Sequence, residues 1–369
     1  MSKYDELSTP VIYRSNSPLK SLIALGTNEE DYNDYFVLAG DEPRGRTHVS
    51  LYRVNQLVDT VESQCLLETR WDASSSNLVA LKDGLFASIV EESTHPGTLW
   101  LNIYNVLSKD DRDNIISEKL QTKSCIRLDN LETSLSYVNL IANRSTCCQI
   151  ATVSCDKLLI HDYEKDLNQN FHLTPQDCCY WKPCGDWQPD NSGNHLIIGR
   201  GQSVQLWDIR SQDTCADFGV FPNFGQILAL RYFPLRQHFV MGGFSSGKVV
   251  VWDTRSSLEP ILSWTAHHHA ILDLKSNWSH ERLVATCGTD AIIHIWDMKE
   301  LFSMSPTVSK GSARQQPSYV KCSSLEYHSD TIHALEWGIS NEFTIASVGY
   351  DGNFILTTIP SFVRDKVFT

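Results

Sequence analysis

The chain has 369 residues and a formal net charge of −13, from 44 acidic and 31 basic side chains. That balance argues against broad binding to nucleic-acid phosphates, which relies on Lys and Arg, and against a basic face for membrane surfaces. Eleven cysteines, an odd number with no paired CxxC motif, read as reduced thiols packed like small hydrophobes, so neither a metal nor a cofactor is expected.

Residues 1–9 are polar and acidic, which reads as a flexible N-terminus and not a signal peptide. Val11–Arg14 is a short strand candidate. Asp34–Ala39 and His48–Val54 read as two strands around a Gly-Asp-Glu-Pro turn. Ser76–Leu81, Leu85–Glu91 and Leu99–Val106 are three more, followed by a charged stretch, Ser108–Glu118, that reads as a solvated loop. Residues 151–163 carry Asp156 at a turn and His161-Asp162 at the end of the next strand.

From Trp207 onward the chain keeps a rhythm. Trp207-Asp208 and Trp252-Asp253 stand 45 residues apart, Trp252 and Trp296 44 apart, and Pro189 and Pro234 45 apart. Ala266–Lys299 shows the full unit: His267, an alternating apolar run, Thr286, Asp290 and, six residues after Asp290, Trp296-Asp297. That order and period resemble a WD-repeat blade. Seven blades of ~40–45 residues need about 280–315 residues. The expectation is therefore an all-β chain, a seven-bladed WD-repeat β-propeller forming a single closed domain over 10–360. The blades are placed near 18–58, 59–122, 130–170, 176–216, 225–262, 266–299 and 325–360. Val11–Arg14 should lend its strand to the last blade, because an open ring leaves unpaired edges. Residues 303–323, rich in Ser, Pro and Gln, read as a flexible insertion, and 361–369 as a C-terminal tail.

The repeated residue types predict a buried polar network of His267, Thr286, Asp290 and Trp296. His328, Ser347 and Asp351 repeat it in the last blade, with Thr357 in place of the tryptophan. Gly201 and Ser246 stand where a turn Asp belongs, and Phe224 stands near the place of a His, so blades four and five must rely on apolar packing. A His, a hydroxyl and an Asp are also the parts of a hydrolase triad, but a triad needs an exposed nucleophile beside an oxyanion hole. The run His267-His268-His269 reads as one structural histidine with two solvent neighbours. With no GxGxxG, Walker, HExxH or GxSxG motif, no enzyme is expected.

Two further resemblances concern partners. Trp207-Asp-Ile-Arg210 and Trp252-Asp-Thr-Arg255 resemble the WDxR box of substrate receptors of cullin-RING ubiquitin ligases, which makes Arg210 and Arg255 candidate partner contacts through their planar forks. Far more of the chain resembles the EARP and GARP complex-interacting protein family of WD-repeat proteins. The residues that carry this are PVIYR (10–14), Trp187-Gln-Pro189, LWDIRS (206–211), GQILALRYFP (225–234), VWDTRSSLEP (251–260), NWSHERLVATCGTDA (277–291), YHSDTIHALEW (327–337) and ASVGYDGNFILTTIP (346–360). The resemblance implies a cytoplasmic, monomeric scaffold that binds a multisubunit tethering complex, without nucleic acid or membrane insertion. It further implies peripheral association with endosomes and the trans-Golgi network, and roles in endosomal recycling, Golgi retrieval and dense-core vesicle maturation.

Overall fold

The computed structural model describes residues 10–25, 33–57, 60–92, 97–106, 120–128, 131, 135–143, 148–165, 167–173, 182–190, 192–211, 213–255, 259–299, 301 and 319–368. Residues 1–9, the charged stretch 108–118 and most of the insertion read at 303–323 lie outside them.

The chain folds as seven four-stranded antiparallel sheets, which are the blades of a β-propeller. Six are consecutive: 19–71, 73–127, 139–172, 184–220, 227–265 and 271–325. The seventh joins Ile332–Trp337, Thr344–Gly349 and Asn353–Thr358 to Val11–Arg14 from the other end of the chain. Val11 pairs with Leu356 and Arg14 with Asn353, so the first strand closes the ring.

Strand position explains the sequence pattern. Blades stack face to face, so middle strands are buried on both sides and read as continuous apolar runs. Lys248–Asp253 (KVVVWD) is buried at every residue but the first. Outer strands show one face to water and alternate, as Leu262–Thr265 does.

That alternation moves two blade boundaries. Thr60–Trp71 is the outer strand of blade one, paired along Arg46–Leu57, so blade two begins at Ala73 instead of 59. Val320–Leu325 is the outer strand of blade six, so the insertion read at 303–323 ends before Val320. Both strands are mostly polar and a mixture of exposed and half-buried residues, so no long apolar run announces them.

One apolar cluster fills each of the seven seams between neighbouring blades. Polar side chains also cross the seams. Ser21 Oγ accepts the Leu78 N–H at 2.8 Å, Asp186 accepts the Tyr232 N–H at 2.9 Å, and Asp273 accepts the Leu335 N–H at 3.3 Å. The indole of Trp187 donates to Ile141 O and that of Trp337 to Lys275 O. After the last blade, Ser361–Phe368 forms a helix and buries Val363 in the seam between blades six and seven.

Candidate functional site

Blade six assembles its four residues from four places. His267 lies in the loop before the inner strand, Thr286 on Leu283–Gly288, Asp290 in the following turn and Trp296 on Ile293–Asp297. Trp296 Nε1 is 3.0 Å from Thr286 Oγ1, which is 2.8 Å from His267 Nε2, and His267 Nδ1 is 2.8 Å from an Asp290 oxygen. An indole only donates and a carboxylate only accepts. The donations therefore run from Trp296 to Thr286 to His267 to Asp290. Thr286 has no exposed surface, so its hydroxyl is out of a substrate's reach, and the chain of bonds pins a loop, a turn and two strands together. Burial pushes the Asp290 carboxyl up, but the bond and charge of His267, the Ile292 N–H and His294 together outweigh it and the net shift is downward. His268 and His269 are exposed and do not converge on His267.

Blade seven repeats the arrangement without the indole. His328 Nε2 lies 2.9 Å from Ser347 Oγ and its Nδ1 3.1 Å from Asp351. Thr357 is buried in the tryptophan's place.

The middle blades show what replaces the network. Thr286 stands two residues beyond Val284, the cross-strand partner of Trp296. The equivalent residue is Ile198 in blade four, where Leu196 pairs with Trp207, and Gly242 in blade five, where Val240 pairs with Trp252. Neither offers a hydroxyl, and the indole N–H groups of Trp207 and Trp252 have no hydrogen-bond partner among the described residues. At Gly242 a Cβ would come within 2.9 Å of the Trp252 ring, so glycine is what lets the indole lie against the backbone. Phe221, Phe224 and Phe244 then close around it, with ring centroids 5.5 to 6.1 Å apart between neighbours such as Phe224–Phe244 and Phe221–Trp252.

His294 is a member of the blade-six cluster that the repeat signature does not announce. Its ring lies 4.6 Å from that of His267, its Nδ1 is 3.0 Å from Ser324 Oγ and its Nε2 is 3.4 Å from Lys321 Nζ. Burial, then the neighbouring His267, pulls its pKa down to about 4. One ligand atom each of His267, Asp290 and His294 fall within 4.8 Å of one another, close enough to hold a cation. Yet every one of those ring nitrogens already faces Asp290, Thr286, Ser324 or Lys321. A bound metal would have to break those contacts and sit beside the Lys321 ammonium.

Arg210 and Arg255 sit on the rim, and their forks are engaged within the chain. Arg210 Nε and Nη2 reach Asp208 at 3.1 and 2.8 Å, and Arg255 reaches Asp253 at 3.0 and 2.8 Å. The Arg210 bond lowers the Asp208 carboxyl to about 2. Blade six has Lys299 where these blades have Arg. There Arg282, from the preceding hairpin, supplies the same two-pronged contact to Asp297 at 3.0 and 2.7 Å.

Along the axis, all seven inner strands line a channel of about 550 Å³. Five of them break register near their start: between Leu19 and Ser21, Ser75 and Leu78, Ile227 and Ala229, Ile271 and Asp273, and Ile332 and Ala334. A bulge re-aims the extra side chain. Here Lys20, Leu228, Leu272 and His333 line the channel.

No protein-family model matches the chain. Its curated homologues include the EARP-interacting protein homolog of Gekko japonicus, 24% identical over 197 residues (49% of this chain, 50% of the relative). They also include EARP and GARP complex-interacting protein 1 of Homo sapiens, 22% identical over 195 residues (49% and 50%). The chain spans about half the length of the curated relatives it matches. Among solved structures, a chain of the "Crystal Structure of Mitotic Checkpoint Complex" superposes with a TM-score of 0.65 at 13% identity, covering 97% of this chain and 98% of that one. At that identity the likeness speaks for the propeller fold alone.

Proposed function

We propose that this chain is a non-enzymatic propeller scaffold that docks on a multisubunit vesicle-tethering complex of the EARP/GARP type. In this reading residues 10–360 act as one rigid body, and the exposed loops and outer strands of the rim carry the partner contacts. Loops suit that task because strands hold shape while connections vary. The observation that carries the reading is that curated homologues are named for interaction with EARP, the human one with EARP and GARP complexes. The ring supports it: the conspicuous His-Thr-Asp set is buried and spent on holding one blade together. No helix among the described residues is long and apolar enough to cross a membrane. Contact with trans-Golgi and endosomal membranes would then be peripheral, through the tether. Endosomal recycling, endosome-to-Golgi retrieval and dense-core vesicle maturation are the processes it would serve.

Affinity purification of the full chain from cell extract, followed by mass spectrometry, tests this directly. Recovery of tethering-complex subunits in stoichiometric amounts is the expected result. A purification that recovers ubiquitin-ligase adaptors and no tethering subunit overturns it.

A further inference from the structure

The axial channel differs in charge along its length. In its middle, cations have carboxylate partners: Lys275 Nζ lies 2.7 Å from Glu336, and Arg231 Nη2 lies 3.4 Å from Asp273. At the end where the inner strands begin, the balance changes. Lys20 projects there from its bulge and is held on its outer side by Asp41. Lys182, two residues before the inner strand Cys184–Trp187, lines the same channel. Among the described residues it makes one hydrogen bond, to Asn77 Oδ1 at 3.0 Å, and no carboxylate pairs with it. His333, on the bulge of blade seven, lines the channel as well.

We propose that this end of the channel binds a phosphate dianion, borne by a small soluble molecule, between the ammonium groups of Lys182 and Lys20. The Lys182 ammonium supplies a charge that no carboxylate among the described residues offsets, and Lys20, shared with Asp41, supplies further N–H donors. Strong hydrogen bonds form when both donor and acceptor are ionised, and Lys182 has donors to spare beyond Asn77. A lysine is a usual phosphate ligand for this reason. The channel is wide enough to admit a small molecule, and its middle, already neutralised by its own pairs, does not compete for the anion. The state of Lys182 agrees: burial, then the nearby Lys20, brings its pKa down to about 8. An amine so strained for a counter-charge gains from an anion that supplies one. The surface as a whole is acidic, so attraction is confined to this pocket and long-range steering does not add to it.

The test is calorimetric titration of the full chain with inorganic phosphate at fixed ionic strength, with acetate as the monoanion control and vesicles containing phosphatidic acid as the membrane-borne source. Saturable binding of one phosphate, tighter than acetate, is expected. K182Q should weaken it by about tenfold or more, as should K20Q, whereas K165Q at an exposed site should not. If K182Q fails to fold, the lysine Cε resonances of the unsubstituted chain give the answer: phosphate should raise the Lys182 pKa. The proposal is overturned by phosphate binding that K182Q and K20Q leave intact, by no saturable response to phosphate, or by binding to the vesicles alone.

Discussion

Asp34 and Ile339 are separated by 305 positions in the chain, yet the Asp34 carboxylate accepts the Ile339 N–H at 2.9 Å. The same oxygen accepts the Ser340 N–H at 2.6 Å. This contact ties blade one to the turn of blade seven, beside the seam that the first strand also crosses through the rings of Tyr13, Tyr52 and Phe354. Asp34→Ala leaves the two N–H groups of this part-buried contact without their charged acceptor, which should cost about 1–3 kcal/mol. Asp34→Asn keeps one acceptor oxygen and should cost less. Urea unfolding ranks the two, and hydrogen exchange should show the loss first in blade seven. Equal exchange in all blades would mean that closure does not depend on Asp34.

The hydrogen-bonded chain of blade six predicts an order of mutational effects. Thr286→Val keeps the shape and removes the hydroxyl that receives Trp296 and serves His267, leaving both buried partners unmet. Ser347→Ala in blade seven strands only His328. Each should destabilise by about 1–3 kcal/mol, and Thr286→Val should be the larger. Chemical denaturation of both variants checks this. A smaller loss for Thr286→Val would mean that the indole bond contributes little to the blade.

What could be read in the sequence follows from burial. The 44–45-residue period and the two His-containing networks involve middle strands and turns, where burial on both faces restricts residue choice, whereas the closing strand Val11–Arg14 is an edge strand that shows only the alternation of its four residues. The outer strands Thr60–Trp71 and Val320–Leu325 escape such a reading because water accepts almost any side chain on their open face, so the first reads as part of blade two and the second as part of the insertion. Arg282 and His294 are illegible for another reason. Each reaches its partner across strands, Arg282 to Asp297 and His294 to Ser324, so neither stands at a position that the repeat marks. The candidate contacts Arg210 and Arg255 are exposed, but only the folded chain reveals that Asp208 and Asp253 already hold their forks.

That occupancy bears on the rim arginines. Arg210→Ala removes an exposed ion pair and should leave the unfolding midpoint nearly unchanged. Asp208, held near 2 by Arg210, should return upward toward the ordinary carboxylate range, which a carbon-detected NMR titration can follow. In the unsubstituted chain the sign is that of a depressed acid: its contribution is present above the unfolded pKa and lost as pH falls toward 2. Capture of tethering subunits should survive in the Arg210→Ala, Arg255→Ala double variant. Loss of capture in a folded double variant would show that the forks leave their aspartates to engage a partner.

The last expectation concerns mild acid. His294 has its pKa pulled down to about 4, by burial first and by His267 next, with Lys321 and His268 opposing its protonation and Asp290 favouring it. Burial also lowers His328. An unfolded histidine titrates near its ordinary value of about 6.5. Between these limits the unfolded chain takes up a proton that the folded one refuses, so stability must fall as pH falls. The contribution is complete above about pH 6.5 and declines as pH drops toward 4, before Asp208, Asp253, Asp290 and Asp351, all shifted downward, begin to matter. His294→Gln keeps a side chain that can bond Ser324 and removes the titration. Its unfolding free energy should therefore depend on pH less steeply than that of the unsubstituted chain between pH 6.5 and 4, by up to one proton's worth, with His328 accounting for part of the remaining slope. Unfolding curves collected across that interval give the slope directly. Identical slopes in the two proteins would mean that His294 accepts its proton within the folded blade, with Lys321 turning away from the ring to make room for it.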